Sequence, residues 1–184
     1  AYLEALPDIT LKEPKPPQAF NGTQFSTTGD SLELRLPGKT LRIHSGEESA
    51  LFQAPYEDIE TLLALHRFAW VPTMGNTVNP GWVDSVWRAW CELYAQPDDT
   101  WAWHPYTAAE RAINILDFAQ RHGLPGEHQD TLNILARHGP AIAERLEYFG
   151  EYNTSNHLSN NGRGLYRLGL VLGLSDCIGR GADI

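Results

Sequence analysis

Two stretches gather the side chains that could do chemistry. The first, Glu151-Tyr152-Asn153-Thr154-Ser155-Asn156-His157-Leu158-Ser159-Asn160-Asn161-Gly162, sets four Asn, one His and three small hydroxyl residues between apolar segments. Rich in amides and poor in charge, it suits a site that hydrogen-bonds an uncharged or neutralised oxygen-rich ligand. Helix capping or a polar loop would account for the same residues. The second is Trp101-Ala102-Trp103-His104-Pro105-Tyr106-Thr107, with Arg111 and Asn114 one and two turns further on. Aromatic rings at a helix entrance act either as a hydrophobic staple or as a platform for the C–H faces of sugar rings.

The elements that must position these stretches can be read from apolar periodicity. Leu32, Leu34 and Leu36 alternate with Glu33 and Arg35, Pro37-Gly38-Lys39 breaks the run, and Leu41 and Ile43 resume it, which predicts a β-hairpin. Before it, Pro7, Pro14, Pro16 and Pro17 predict an extended arm. From residue 56 the period becomes helical. Ile59, Leu62, Leu63 and His66 form one stripe, and Trp82, Val83, Val86, Trp87, Trp90, Cys91 and Tyr94 form a second, with an ordered loop over 71–81 between them. Thr107 and Glu110 match a capping box opening a third helix that stops at Gly123 and Pro125. Leu132, Leu135, Ala136, Ile142, Leu146 and Phe149 keep one stripe across Gly139-Pro140, predicting a kinked helix or two short ones. A last helix begins within 158–164 and carries Leu165, Leu168 and Leu172, with Gly162, Gly169 and Gly173 allowing a neighbour to approach closely. The fold class is therefore mainly α, with an arm and hairpin over 1–50 and a helical region over 51–184.

Composition excludes several classes. The chain has 184 residues, 42% hydrophobic and 20% charged, with no apolar run of membrane-spanning length. Its net charge of −9 argues against nucleic acid and anionic membrane as partners. Cys91 and Cys177 show no CxxC spacing and are expected to be unpaired thiols. His122, His128 and His138 lack metal-ligand spacing and are expected at helix ends or on the surface, so neither metal nor cofactor is expected. Phosphate-loop, dinucleotide, HExxH and GxSxG motifs are absent from the sequence. Asn21-Gly22-Thr23 and Asn153-Thr154-Ser155 match the short glycosylation pattern. Residues 1–10 carry no signal-peptide pattern, and the apolar 165–174 segment followed by ten residues is expected to be a chain cut short.

Over about residues 80–175 the sequence resembles the heparinase II/III-like polysaccharide lyases and the related alginate lyases, in their N-terminal helical toroid domain. The resemblance lies in Trp103-His104-Pro105-Tyr106 leading into Glu110-Arg111-Ala112-Ile113-Asn114, and in Ser155-Asn156-His157-Leu158 followed by Gly164-Leu165-Tyr166 and Gly169. It implies an incomplete α/α toroid of helical hairpins, a periplasmic or secreted protein, and β-elimination on a uronic-acid-containing polysaccharide. That reaction needs a group to neutralise the uronate carboxylate, a base for the proton on the adjacent carbon, and an acid for the departing oxygen. By resemblance Asn156 is the neutraliser, His157 the base, and the acid a tyrosine beyond Ile184, in a C-terminal part that would partner this chain. Trp103, His104, Tyr106, Arg111, Asn114, Asn160 and Arg163 are the expected substrate-binding residues, lining one concave surface with Asn156 and His157. The rival readings are a glycoside hydrolase on a similar toroid, with carboxylates drawn from Asp98, Asp99 and Glu110, and a non-catalytic sugar-binding or protein-interaction module.

Overall fold

In the computed structural model, which describes residues 29–147 and 156–184, the leucine alternation produces strand β1 (Ser31–Leu36), paired antiparallel with β2 (Lys39–His44). Leu32 faces Ile43 and Leu34 faces Leu41, while Glu33 makes exposed ion pairs with Arg35 and Arg42 on the other side. Gly38, at φ +71°, supplies the left-handed backbone that a two-residue hairpin turn favours. The hairpin's buried leucines join the same apolar cluster as the helices. The arm over 1–28 and both glycosylation patterns lie outside the described residues.

The helices are α1 (Glu48–Gln53), α2 (Ile59–His66), α3 (Trp70–Met74), α4 (Pro80–Tyr94), α5 (Pro105–His122), α6 (His128–Ala143), α7 (Asn156–Leu172) and α8 (Ser175–Ala182). The mainly helical class with one small antiparallel sheet is as the periodicity implied. Several local readings need correction. The 71–81 segment holds α3 and a 3-10 turn, Gly75–Thr77. Helix α2 buries Thr61, Ala64, Leu65 and His66, leaving Ile59 41% exposed, because it docks through the side that carries Thr61 to the hairpin and His66 to Trp90. Thr107 and Glu110 form no capping box. Pro105, whose φ is preset for a first helical position, starts α5 three residues earlier than a Thr107 cap would, so Thr107 lies inside the helix with a buried hydroxyl unpaired among the described residues. Helix α6 runs unbroken through Pro140 and stops at Ala143; Phe149 is outside the described residues.

Helices α5 and α7 run in the same direction, since Tyr106 meets His157, Glu110 meets Arg163, and Asp117 meets Arg167. Contacts of Trp87 with Thr131 and of Trp90 with His138 give α4 and α6 a shared direction too. Twelve of the 18 residues of α5 are buried, so it is covered on more than one side. It approaches α7 tightly at Gly164, where a Cβ would stand 2.7 Å from Ala109 Cβ and 2.9 Å from its Cα. Gly164→Ala is therefore expected to destabilise the protein by about 1–3 kcal/mol through overpacking. A urea unfolding midpoint equal to that of the parent would contradict this.

Helix α8, which the apolar periodicity did not predict, folds back along α7. A Cβ at Gly181 would meet the Tyr166 backbone at 2.6 Å, and one at Gly169 would meet Ile178 at the same distance. Glycines 179 and 181 hide this helix from propensity reasoning, yet at Gly181 the missing side chain is what permits the docking. Gly173, by contrast, packs against nothing and makes the left-handed turn between α7 and α8. Cys91 and Cys177 are free thiols, as expected.

Candidate functional site

The parallel course of α5 and α7 brings their first turns together, and with them parts of both chemical stretches. His157, in the first turn of α7, stacks on Tyr106 with ring centroids 4.3 Å apart and planes 27° from parallel. The His104 ring, just before α5, stands edge-on to His157 at 6.4 Å. Glu147, beyond the end of α6, lies between the two histidines: its Oε1 is 2.9 Å from His157 Nδ1 and 3.6 Å from His104 Nε2. Burial, with neighbouring His157 and Arg145 acting in the same sense, holds the His104 imidazole below its ordinary pKa against the pull of Glu147. Asn156 is exposed at the start of α7, and Asn160 is half-buried one turn later. Arg163 is exposed and paired with Glu110 at 3.1 Å.

Tyr106 is covered on another side by Arg67, whose guanidinium carbon lies 5.2 Å from the ring centroid. Asn114 fixes that arginine. Its amide Nδ2 donates to the Arg67 carbonyl at 2.8 Å, next to Phe68, which takes a left-handed conformation (φ 55°) and buries its ring. Asn114 is thus an internal brace of the site rather than part of its surface.

Trp103 and Arg111, expected on that surface, are both fully buried. Trp103 donates its indole N–H to the Tyr94 carbonyl, and its ring packs on Trp90 and His138. Arg111 lies between Trp90 and Trp103, 4.0 and 5.0 Å from the ring centroids, and donates to His138 Nε2 and to the carbonyls of His66 and Ala102. Neither presents a surface to a ligand. The indole left open is Trp101, 49% exposed, its ring 5.3 Å from that of His104. The two tryptophans share a three-residue 3-10 turn, which sets them about 120° apart around its axis, so only one can face the core.

His138, expected at a helix end or surface, is also fully buried. It sits beside Arg111 because α6 crosses the middle of α5 there. His138 and His66 each offer a ring-nitrogen lone pair to a donor, Arg111 Nε and Trp90 Nε1 respectively, so both rings are neutral. Burial and the Arg111 charge push His66 down to about 3 and His138 well below the usual histidine range. Between pH 6.5 and about 3 the unfolded chain therefore binds protons that the folded His66 does not. The stability these rings contribute is complete above pH 6.5 and declines as pH falls, by about 1.4 kcal/mol per pH unit for each ring. The thermal midpoint should drop steeply from pH 6.5 to 5. His138→Gln, which keeps an acceptor for Arg111 but does not titrate, should show a clearly shallower drop; an equal slope would contradict the assignment.

Among the described residues no group of three His, Cys, Asp or Glu side chains is placed to hold a metal ion. Glu147 and Arg67 escaped sequence reasoning, and Trp101, though part of the second stretch, was not among the expected substrate-binding residues. Trp101 was within reach, as one of two indoles in a short turn. Glu147 and Arg67 carry no local signal: Glu147 is one of three charges in Glu144-Arg145-Leu146-Glu147, Arg67 directly follows α2, and nothing beside either points to the distant ring it meets. Set against protein-family models, curated proteins and solved structures, the chain matches none.

Proposed function

We propose that this protein is a polysaccharide lyase of the heparinase II/III-like kind, cleaving a uronic-acid-containing polysaccharide by β-elimination. The observation that carries the reading is the meeting of Asn156-His157 at the start of α7 with His104 and Tyr106 at the start of α5, the two stretches on which the resemblance rests. The shared direction of α5 and α7, with that of α4 and α6, supports placing these helices in an arc of an α/α toroid, whose rim the first turns of α5 and α7 would form.

In this reading Asn156 donates its amide hydrogens to the uronate carboxylate, lowering the cost of the enolate that develops when the adjacent proton leaves. His157 takes that proton. A neutral amide facing the carboxylate also accommodates a polyanion on a chain of net charge −9. The sugar platform is Trp101, beside His104. Trp101→Ala should raise KM several-fold on the order of a lost stacking contact, about 1–2 kcal/mol, with kcat changed less; a kcat loss at constant KM would remove Trp101 from the binding surface.

The test of the function is incubation of the intact protein with uronate-containing polysaccharides such as alginate, heparan sulfate and hyaluronan. Appearance of the ultraviolet absorbance of an unsaturated uronate supports the lyase. New reducing ends without that absorbance would mean hydrolysis, and binding without cleavage a non-catalytic module. The hydrolase reading gains little from its candidate carboxylates, since Asp99 is paired with Arg145, Glu110 with Arg163, and Asp98 caps Thr100.

A further inference from the structure

We infer that Glu147 is a positioning residue for His157: it accepts a hydrogen bond from Nδ1–H and so leaves Nε2 as the nitrogen able to take a proton from a substrate. The catalytic consequence rests on the β-elimination reading above, whereas the geometry stands apart from it. A carboxylate offers only acceptors, so a 2.9 Å contact with Nδ1 requires the hydrogen to be on that nitrogen. The neutral ring then carries its lone pair on Nε2.

Three further observations make this contact a built one. The Glu147 side chain is only 11% exposed, and its second oxygen, Oε2, is buried without a hydrogen-bond partner among the described residues. Among the described residues its ion-pairing partners are His104 and His157 and no arginine or lysine. Arg145, two residues away, turns instead to the carbonyls of Trp103 and Asp98 and to the Asp99 carboxylate. The carboxylate's charge is therefore directed at the histidines. Tyr106, stacked on the His157 face, opposes rotation of the ring and keeps Nε2 aimed in one direction.

In the elimination the bond between hydrogen and the carbon beside the uronate carboxylate breaks. The electron pair passes into the carboxylate as the enolate and then forms the carbon–carbon double bond as the bond to the glycosidic oxygen breaks, that oxygen taking its proton from the general acid. The proton from carbon forms a bond to His157 Nε2, and Glu147 remains ionised beside the imidazolium it stabilises. No proton passes to Glu147. Its removal therefore costs tautomer and orientation, and the loss appears in kcat rather than in substrate binding.

The experiment uses the intact protein and its Glu147→Gln, Glu147→Asp and Glu144→Gln variants, the last altering an exposed carboxylate one turn from the site. Long-range proton–nitrogen correlation spectra of the histidine rings, without substrate and above neutral pH, report the His157 tautomer. The expected result is the Nδ1-protonated form in the parent and in Glu144→Gln, and a mixture or the Nε2-protonated form in Glu147→Gln. An Nε2-protonated His157 in the parent overturns the inference, and this measurement requires no variant to fold. On a cleaved polysaccharide, Glu147→Gln should lose about 10²- to 10⁴-fold in kcat with KM within about threefold, and Glu147→Asp should recover part of it. If the parent cleaves its polysaccharide and Glu147→Gln keeps kcat, the positioning role fails while the lyase reading stands. If the tautomer follows Glu147 but no unsaturated product forms from any uronate polysaccharide, the lyase reading fails and the positioning role stands.

Discussion

Replacing Asn156 by Ala in the intact protein is expected to lower kcat for β-elimination by about 100-fold or more while KM changes little. The amide contact strengthens as negative charge spreads from the breaking C–H bond into the uronate carboxylate, so its loss raises the barrier more than it weakens binding. Removing His157 should cost at least as much, because among the described residues no neighbouring side chain is both placed and oriented to replace Nε2. His104 is the nearest candidate, but burial keeps it a poor base. Asn156 is exposed, so the stability of its Ala variant should stay within about 0.5 kcal/mol of the parent. His157→Ala gives up the ring stack on Tyr106 and the hydrogen bond to the buried Glu147 carboxylate, and should cost about 2–3 kcal/mol. Initial rates from unsaturated-uronate absorbance, normalised to folded protein, check both. Unchanged activity per folded molecule, accompanied by a lower midpoint, would make the two residues helix-start structure and take the in-chain chemistry away from the lyase reading.

The second large effect is on stability. Arg111→Ala should destabilise the protein by about 3–5 kcal/mol, because the change leaves a core cavity between two indole rings and strips donors from His138 Nε2 and from the carbonyls of His66 and Ala102. The arginine is itself costly. It is fully buried with no carboxylate among its hydrogen-bond acceptors, its Nη2 has no partner, and burial pulls its pKa down to about 9, which still leaves it charged at neutral pH. Arg111→Met, which fills much of the same space without a charge to desolvate, should therefore lose clearly less than Arg111→Ala. Denaturant unfolding of the three proteins tests the ranking, and equal losses for Ala and Met would mean that the hydrogen bonds rather than the cavity dominate. Activity offers a second check: since Arg111 is internal, Arg111→Met that remains folded should keep most of its kcat.

The residues themselves determined a good deal of this protein. The hairpin was legible down to its turn because a period of two and a Pro-Gly break leave few alternatives over twelve residues. Helix α4 was legible because its apolar stripe is long and its aromatic residues recur at helical spacing. The two chemical stretches were found because unusual residue types cluster in them. That they meet was not deducible from the sequence. It depends on α5 and α7 running in the same direction, which is set by contacts of high sequence separation such as Gly164 against Ala109.

The tertiary structure also decided which residues of each stretch belong to a surface. Spacing gives the angle of a side chain around its own helix axis but not which sides the neighbours will cover. Trp103 and Arg111 looked like surface chemistry and became core, because α4 and α6 close over that side of α5. Trp101 stayed outside and Glu147 was brought in from ten residues before His157, a pairing that exists only once the end of α6 and the start of α7 come together.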